Sequence, residues 1–317
     1  MRKSSITILA ILAVTLLCCP ITKAGENKNY GLSFPSLAIS FFTSFDEGAK
    51  ERAKELGVNV FSIEANSDVS RQISIVEDMV VSNFAGVLLV PIVTEAVIPA
   101  IEKLNAAGIP VVTGDRAVSI PPDSPAKILA HIGADNVLGG EKAAKFIIDG
   151  LIKRTGAAKG TVIELYGFVG SSPAIDRSEG FNRILSQYPD IPVKTQAASF
   201  LRVEGMKVME DFIMSTPQID AVFGANDDMI MGAIEAMEAS GKFDLSKVIP
   251  VGFDAMEDAK QSVRDGVLTA TIDQFPSKQG AEGFQILYDF VVNGKSPASS
   301  LVLLEPEVLT KENIGAF

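Results

Sequence analysis

The chain has 317 residues, with 28 Lys and Arg against 39 Asp and Glu, a formal net charge of −11, one histidine and two cysteines. The acidic balance disfavours a nucleic-acid or anionic-membrane partner, and a length beyond roughly 250 residues predicts two lobes rather than one core. Both cysteines, Cys18 and Cys19, sit near the start, so the rest of the chain offers no disulfide, thiol nucleophile or thiolate metal site.

Met1-Arg2-Lys3, the apolar run from Ile6 to Cys19, Pro20 and then Thr22-Lys23-Ala24 have the layout of a cleaved secretory signal over residues 1–24. The apolar run falls short of the ~20 residues that cross a bilayer. Cleavage is expected after Ala24; a lipid anchor at Cys18 or Cys19 is less favoured, because Leu17 occupies the place before Cys18 where lipoprotein cleavage wants a small residue. From Tyr30 onward, short β-rich runs ending in Gly, Pro, Asn or Asp alternate with helical patterns. Strands are predicted at Tyr30–Phe34, Val58–Ile63, Ala85–Val90, Pro110–Thr113, Ile128–Ile132, Thr161–Leu165, Val193–Ala197, Ala221–Gly224, Val248–Gly252 and Thr269–Ile272. Several, such as Gly86-Val87-Leu88-Leu89-Val90, are continuous aliphatic runs, as parallel strands covered on both faces require. Between them, Ser44–Leu56, Asn136–Ile152 and Pro276–Val292 show helical spacing, and Gly57 follows the first of these as a stop. The Pro-rich piece Ser119–Pro125 reads as a surface loop. The fold class is therefore α/β, with doubly wound parallel sheets in two lobes and more than one crossing between them.

In such sheets, ligands collect beyond the carboxyl ends of the strands. Polar residues stand there: Asp115-Arg116 after Val111-Val112-Thr113, Asn226-Asp227 after Val222-Phe223-Gly224, Asp254 after Val251-Gly252-Phe253, and Gln274 after Ile272. Carboxylates, amides and a guanidinium offer both donors and acceptors, which suits a polyhydroxyl ligand. The faces of Phe41, Phe42 and Phe200 can sandwich the C–H faces of a sugar ring. Asp115-Arg116 also fits an ordinary surface ion pair, and Phe41 or Phe42 also fits plain core packing. Asp227 and Asp228 open a helix, so Asn226 is assigned to ligand and Asp227 to structure; Asp135-Asn136 is assigned to capping. His131 ends an aliphatic strand and reads as a hydrogen-bonded structural residue. Tyr166 to Ser172 lacks the Gly-Lys-Ser ending of a nucleotide loop and reads as a turn.

These stretches, taken with His131 to Gly140 and Asp176-Arg177-Ser178-Glu179-Gly180-Phe181, occur in an order that resembles periplasmic sugar-binding proteins of the ribose-binding type, from Tyr30 to about Leu304. The resemblance implies a periplasmic binding protein of type I: two lobes joined by a three-strand hinge, with crossings near Ala134, Gln274 and Leu304. The lobes would be 30–134 with 275–304, and 135–274 with 305–317. It implies Phe41, Phe42 and Phe200 as ring-stacking residues, and Asp115, Arg116, Arg177, Asn226, Asp254 and Gln274 as hydrogen-bonding contacts to a monosaccharide or related polyol. A monomer that closes around its sugar and is recognised by the permease of an ATP-driven (ABC) importer is expected, with a chemoreceptor or sensor kinase as the alternative partner. One departure stands out: Ala38-Ile39-Ser40 replaces Asn-Asn-Pro, and Ile39 occupies the place of a sugar-contacting Asn, which argues against ribose itself and for a deoxy sugar, another pentose, a hexose with different stereochemistry or a polyol.

The sequence argues against an enzyme, having one histidine, no nucleotide loop, no nucleophile elbow and no metal-spaced cluster, and no cofactor or metal is expected. A sugar-responsive repressor would carry a helix-turn-helix where the signal-like segment lies.

Overall fold

The computed structural model describes residues 28–316. The expected signal segment, its cut after Ala24, and Cys18 and Cys19 lie outside these residues. The chain lays down β1 (Asn29–Phe34), α1 (Ser40–Leu56), β2 (Asn59–Glu64), α2 (Val69–Val81), β3 (Gly86–Leu89), α3 (Ile98–Ala106), β4 (Val111–Gly114) and β5 (Ala130–Ala134). A second series follows: α4 (Asn136–Thr155), β6 (Val162–Tyr166), α5 (Ser172–Leu185), β7 (Val193–Ala197), α6 (Arg202–Ser215), β8 (Ala221–Gly224), α7 (Asp227–Ser240), β9 (Ile249–Phe253), α8 (Glu257–Asp265) and β10 (Ala270–Asp273). The chain then returns through α9 (Pro276–Asn293), β11 (Leu301–Leu304) and β12 (Glu307–Thr310).

Among the described residues these strands form two six-stranded sheets, ordered β11-β5-β4-β3-β1-β2 and β12-β10-β9-β8-β6-β7. The sheets repeat one plan, and the strand order in each reverses beside its first strand, where ligand clefts of open α/β sheets lie. The aliphatic runs behave as expected of strands covered on both faces: every residue of β3, β4, β8 and β9 is buried. The edge strand β7 is mostly exposed, in keeping with its Lys194, Thr195 and Gln196. The pairing is parallel except for β10 with β12, where Ile272 faces Val308 in an antiparallel ladder. Only Glu305 and Pro306 separate β11 in one sheet from β12 in the other.

Helix α1 starts at Ser40, four residues before the Ser44 that the sequence pattern suggested. The N-cap is Ile39, which has no capping side chain, so the usual start signal is missing; the first turn is closed by the Phe42 N–H on the Ile39 carbonyl at 3.0 Å. Two caps expected from the sequence are formed. Asp135 accepts from the Leu138 N–H at 3.0 Å, and Gly57, at φ 71°, ends α1.

Three helix pairs, α1 with α9, α4 with α5 and α6 with α7, pack through facing glycines. A Cβ on Gly48 would run into the Ser277 carbonyl, and one on Gly280 into that of Phe45. Gly140 and Gly180 meet the carbonyls of Arg177 and Val137 in the same way, as do Gly205 and Gly232 those of Met229 and Arg202. Small residues here let the helices approach closely enough to fix where each delivers its N-terminal residues.

Candidate functional site

All nine residues singled out from the sequence, Phe41, Phe42, Asp115, Arg116, Arg177, Phe200, Asn226, Asp254 and Gln274, line one cavity, together with Ile39 and Pro173. The space between their atoms is about 260 Å³. Asp115 and Arg116 follow β4, while Ile39, Phe41 and Phe42 open α1. From the other side, Pro173 and Arg177 sit on α5, Phe200 precedes α6, Asn226 follows β8, and Asp254 follows β9. Gln274 follows β10 as the chain leaves the second sheet. The two sides meet across the cleft, where the Ala117 N–H donates to Ser172 Oγ at 2.9 Å.

Backbone strain concentrates here. Asp115, Phe200 and Asp254 have φ of 57°, 61° and 107°, conformations that cost a non-glycine residue about 1–3 kcal/mol each and persist where the surroundings over-determine them. Asp115 and Asp254 turn their side chains off strand ends, and Phe200 off the turn before α6, into the cavity.

Four charged side chains are nearly dry: Asp115 is 5%, Arg116 4%, Arg177 2% and Asp254 4% exposed. Their formal charges cancel, so the cavity suits a neutral ligand. Arg116 donates Nη1 to the Ile92 carbonyl at 2.8 Å and places its guanidinium 5.4 Å from the Phe42 ring and 5.9 Å from that of Phe200. Its Nε is buried without a hydrogen-bond partner, with Asp115 Oδ2 3.7 Å away. Arg177 lies 3.7 Å over the Phe253 ring and donates Nη1 to the Ala225 carbonyl at 2.6 Å and to Asp254 Oδ1 at 3.4 Å. Asp254 Oδ1 also accepts from Gln274 Nε2.

Burial pushes Asp254 up to about 7 although Arg177 beside it opposes the shift. Burial likewise raises Asp115 against the pull of Arg116 and Arg177, and lowers Arg116 to about 10, which leaves it charged at neutral pH.

Asn226 is the N-cap of α7: its Oδ1 accepts from the Met229 N–H at 3.0 Å and its Nδ2 donates to the Phe200 carbonyl at 3.2 Å. One N–H of that amide is left for the cavity. Asp227 is structural, accepting from Thr271 Oγ1 at 2.7 Å and from the Met256 N–H at 2.8 Å. His131 lies away from the cavity and pairs with Thr113 Oγ1 at 3.0 Å. Pro173 was not singled out from the sequence; as an early residue of α5 it reads like any helix-opening proline. Among the described residues no group of three His, Cys, Asp or Glu is placed to hold a metal ion, and no helix is long and apolar enough to cross a membrane.

The sequence profile of the periplasmic binding protein domain matches residues 30–296. The chain belongs to the periplasmic binding protein family. Within this family of solute-binding proteins rather than enzymes, the chain is of the ribose type. It is 36% identical over 305 residues to the ribose import binding protein of Bacillus subtilis (strain 168), spanning 93% of this chain and 95% of that one. A solute-binding protein of an ABC transporter from Actinobacillus succinogenes 130z, solved with bound D-allose, superposes with a TM-score of 0.84 at 27% identity, covering 92% of this chain and all of that one. The myo-inositol-binding protein of Caulobacter, solved with myo-inositol, gives 0.82 at 30% identity over 91% of this chain and 95% of its own.

Proposed function

We propose that this periplasmic binding protein captures a neutral monosaccharide or related polyol between its lobes and delivers it to the membrane permease of an ATP-driven importer. The observation that carries the reading is the dry, charge-balanced cavity. Asp115, Arg116, Arg177 and Asp254 all keep hydrogen-bonding capacity free inside a wall built from Phe41, Phe42, Phe200, Pro173 and Ile39. Hydroxyls, which donate and accept, can meet carboxylates and guanidiniums at once; a charged ligand would upset a balance already struck. The import reading rests further on relatives whose own names are those of import binding proteins.

The proposed hinge is the set of three connections after Ala134, after Gln274 and after Leu304, and the lobes are 30–134 with 275–304 and 135–274 with 305–317. Sugar contacts from both lobes exist together only when the cleft is shut, so the ligand shifts the population toward the closed form. Export to the periplasm and cleavage after Ala24 complete the proposal.

A thermal-shift screen of the chain from Gly25 against D-ribose, D-allose, myo-inositol, deoxy sugars and uncharged polyols tests it. Binding to the folded state alone raises the melting temperature by mass action. A clear rise with one sugar is expected; no rise with any sugar or polyol would refute the sugar reading.

A further inference from the structure

One continuous buried hydrogen-bond network joins two of the connections between the sheets, and it runs through three cavity residues, Arg177, Asp254 and Gln274. Asn136, the first residue of α4, donates Nδ2 to the Ala134 carbonyl at 3.3 Å and accepts from Arg177 Nε on its Oδ1 at 2.8 Å. Arg177 passes the chain to Asp254 Oδ1, and that same oxygen accepts from Gln274 Nε2. Gln279, on α9 and so on the side of the first sheet, closes it by donating Nε2 to the Gln274 carbonyl at 2.7 Å and to Gln274 Oε1 at 3.3 Å. Asn136 is 6% exposed and Gln279 is 0% exposed, and neither lines the cavity.

Gln279 is costly for a residue with only a packing role. Its Oε1 is buried with no partner, a cost that a methionine of similar shape would not carry. Its N–H group is the feature that a methionine lacks, and that N–H reaches the residue at which the chain changes sheets. Phe275 beside it holds φ at 58°, with its N–H on Asp273 Oδ1 at 2.7 Å, so this connection is constrained from both sides.

We infer that Asn136 and Gln279 are positioning residues that couple the ligand contacts Arg177, Asp254 and Gln274 to the two connections at residues 134–136 and 273–276. This inference rests on the binding reading above, and it assigns ligand affinity partly to residues the ligand never touches. A sugar hydroxyl drawn to Asp254 or Arg177 tightens a network whose ends are the points where the lobes pivot. Polar networks of this kind act as a unit because each bond polarises the next.

The test uses hydrogen–deuterium exchange of the full chain without ligand, for wild type, Asn136→Ala, Asn136→Asp and Gln279→Met. Local opening is read directly from exchange. Each of Asn136→Ala and Gln279→Met is expected to speed exchange about tenfold at both connections, the remote one included. Asn136→Asp keeps the acceptor for Arg177 but has no N–H for the Ala134 carbonyl, so it should loosen residues 131–136 while Arg177 stays anchored. Gln279→Met fills the same volume and keeps the fold. Changes confined to the substituted connection in Asn136→Ala or Gln279→Met, or wild-type exchange in Asn136→Asp, would overturn the coupling. Calorimetry with D-ribose, D-allose and myo-inositol adds the second arm: at least a tenfold loss in Asn136→Ala and Gln279→Met for whichever sugar the wild type binds. A wild type that binds none of them counts against these three sugars alone, and the exchange experiment then decides the coupling by itself.

Discussion

Arg177 and Asp254 face each other at 3.4 Å inside the second lobe, both almost without solvent. Two desolvated charges in contact cost little only while each has the other, and removing one partner from a buried pair destabilises a protein by about 3–5 kcal/mol. Arg177→Ala and Asp254→Ala are each expected to lower the melting temperature and to weaken sugar binding at least tenfold, about 1.4 kcal/mol. The double change Arg177→Met with Asp254→Leu should recover much of the stability and none of the binding. Unchanged affinity in both single variants would remove these residues from the site.

The pH dependence follows from Asp254. Burial holds its folded pKa at about 7, above the ordinary aspartate value, with Arg177 only partly opposing it. A raised folded pKa stabilises the unliganded protein below about pH 4, and this contribution is lost as pH rises towards 7. A sugar hydroxyl donating to this carboxylate favours its charged form, so binding is expected to release protons and tighten between about pH 5 and 8. Asp115, also raised by burial and also facing the cavity, acts in the same direction. Calorimetry in two buffers of different ionisation enthalpy reads the proton count, and Asp254→Asn should reduce it.

Ile39 gives the cavity an apolar stretch of wall where Phe41 and Phe42 follow it in the same segment. A hydroxyl turned toward Ile39 would be buried unpaired, a cost of about 1–3 kcal/mol. Ile39→Asn is therefore expected to improve binding of D-ribose about tenfold relative to the wild type, and to weaken binding of any ligand whose unsubstituted carbon packs on the isoleucine. Titration of both proteins with the same sugars checks it; parallel changes for every sugar would show that Ile39 sets no preference.

Much of this site was legible because of where parallel sheets put their loops. Asp115, Asn226, Asp254 and Gln274 stand directly after aliphatic runs, and strand ends of that kind converge. The order of the motifs supplied Arg177, whose place on a helix carries no signal of its own. What escaped has physical reasons. Ile39 caps α1 without a capping side chain, so Ser44 looked like the start. Strand β12 is a four-residue edge piece that follows β11 after two residues yet pairs antiparallel with β10 in the other sheet, a placement that periodicity does not encode. Asn136 read as a capping residue beside Asp135; its bond to Arg177 joins positions 41 residues apart and exists only in three dimensions.

The facing glycines make a last prediction that separates packing from function. A Cβ on Gly232 would strike the Arg202 carbonyl on the α6–α7 contact, whose facing residues do not themselves line the cavity, although Phe200 lies two residues before Arg202. A Cβ on Gly140 would strike the carbonyl of Arg177 itself. Overpacking a tight contact costs about 1–3 kcal/mol, and in a chain of this size each kcal/mol lowers the melting temperature by about 2–4 °C. Gly232→Ala and Gly140→Ala should therefore destabilise to a similar degree. Only Gly140→Ala pushes α5 away from α4 at the residue whose guanidinium meets Asp254, so it alone is expected to cost binding as well, by tenfold or more. Equal losses of affinity in the two variants would mean that the α4–α5 contact does not place Arg177, and that its orientation comes from the hydrogen bonds alone.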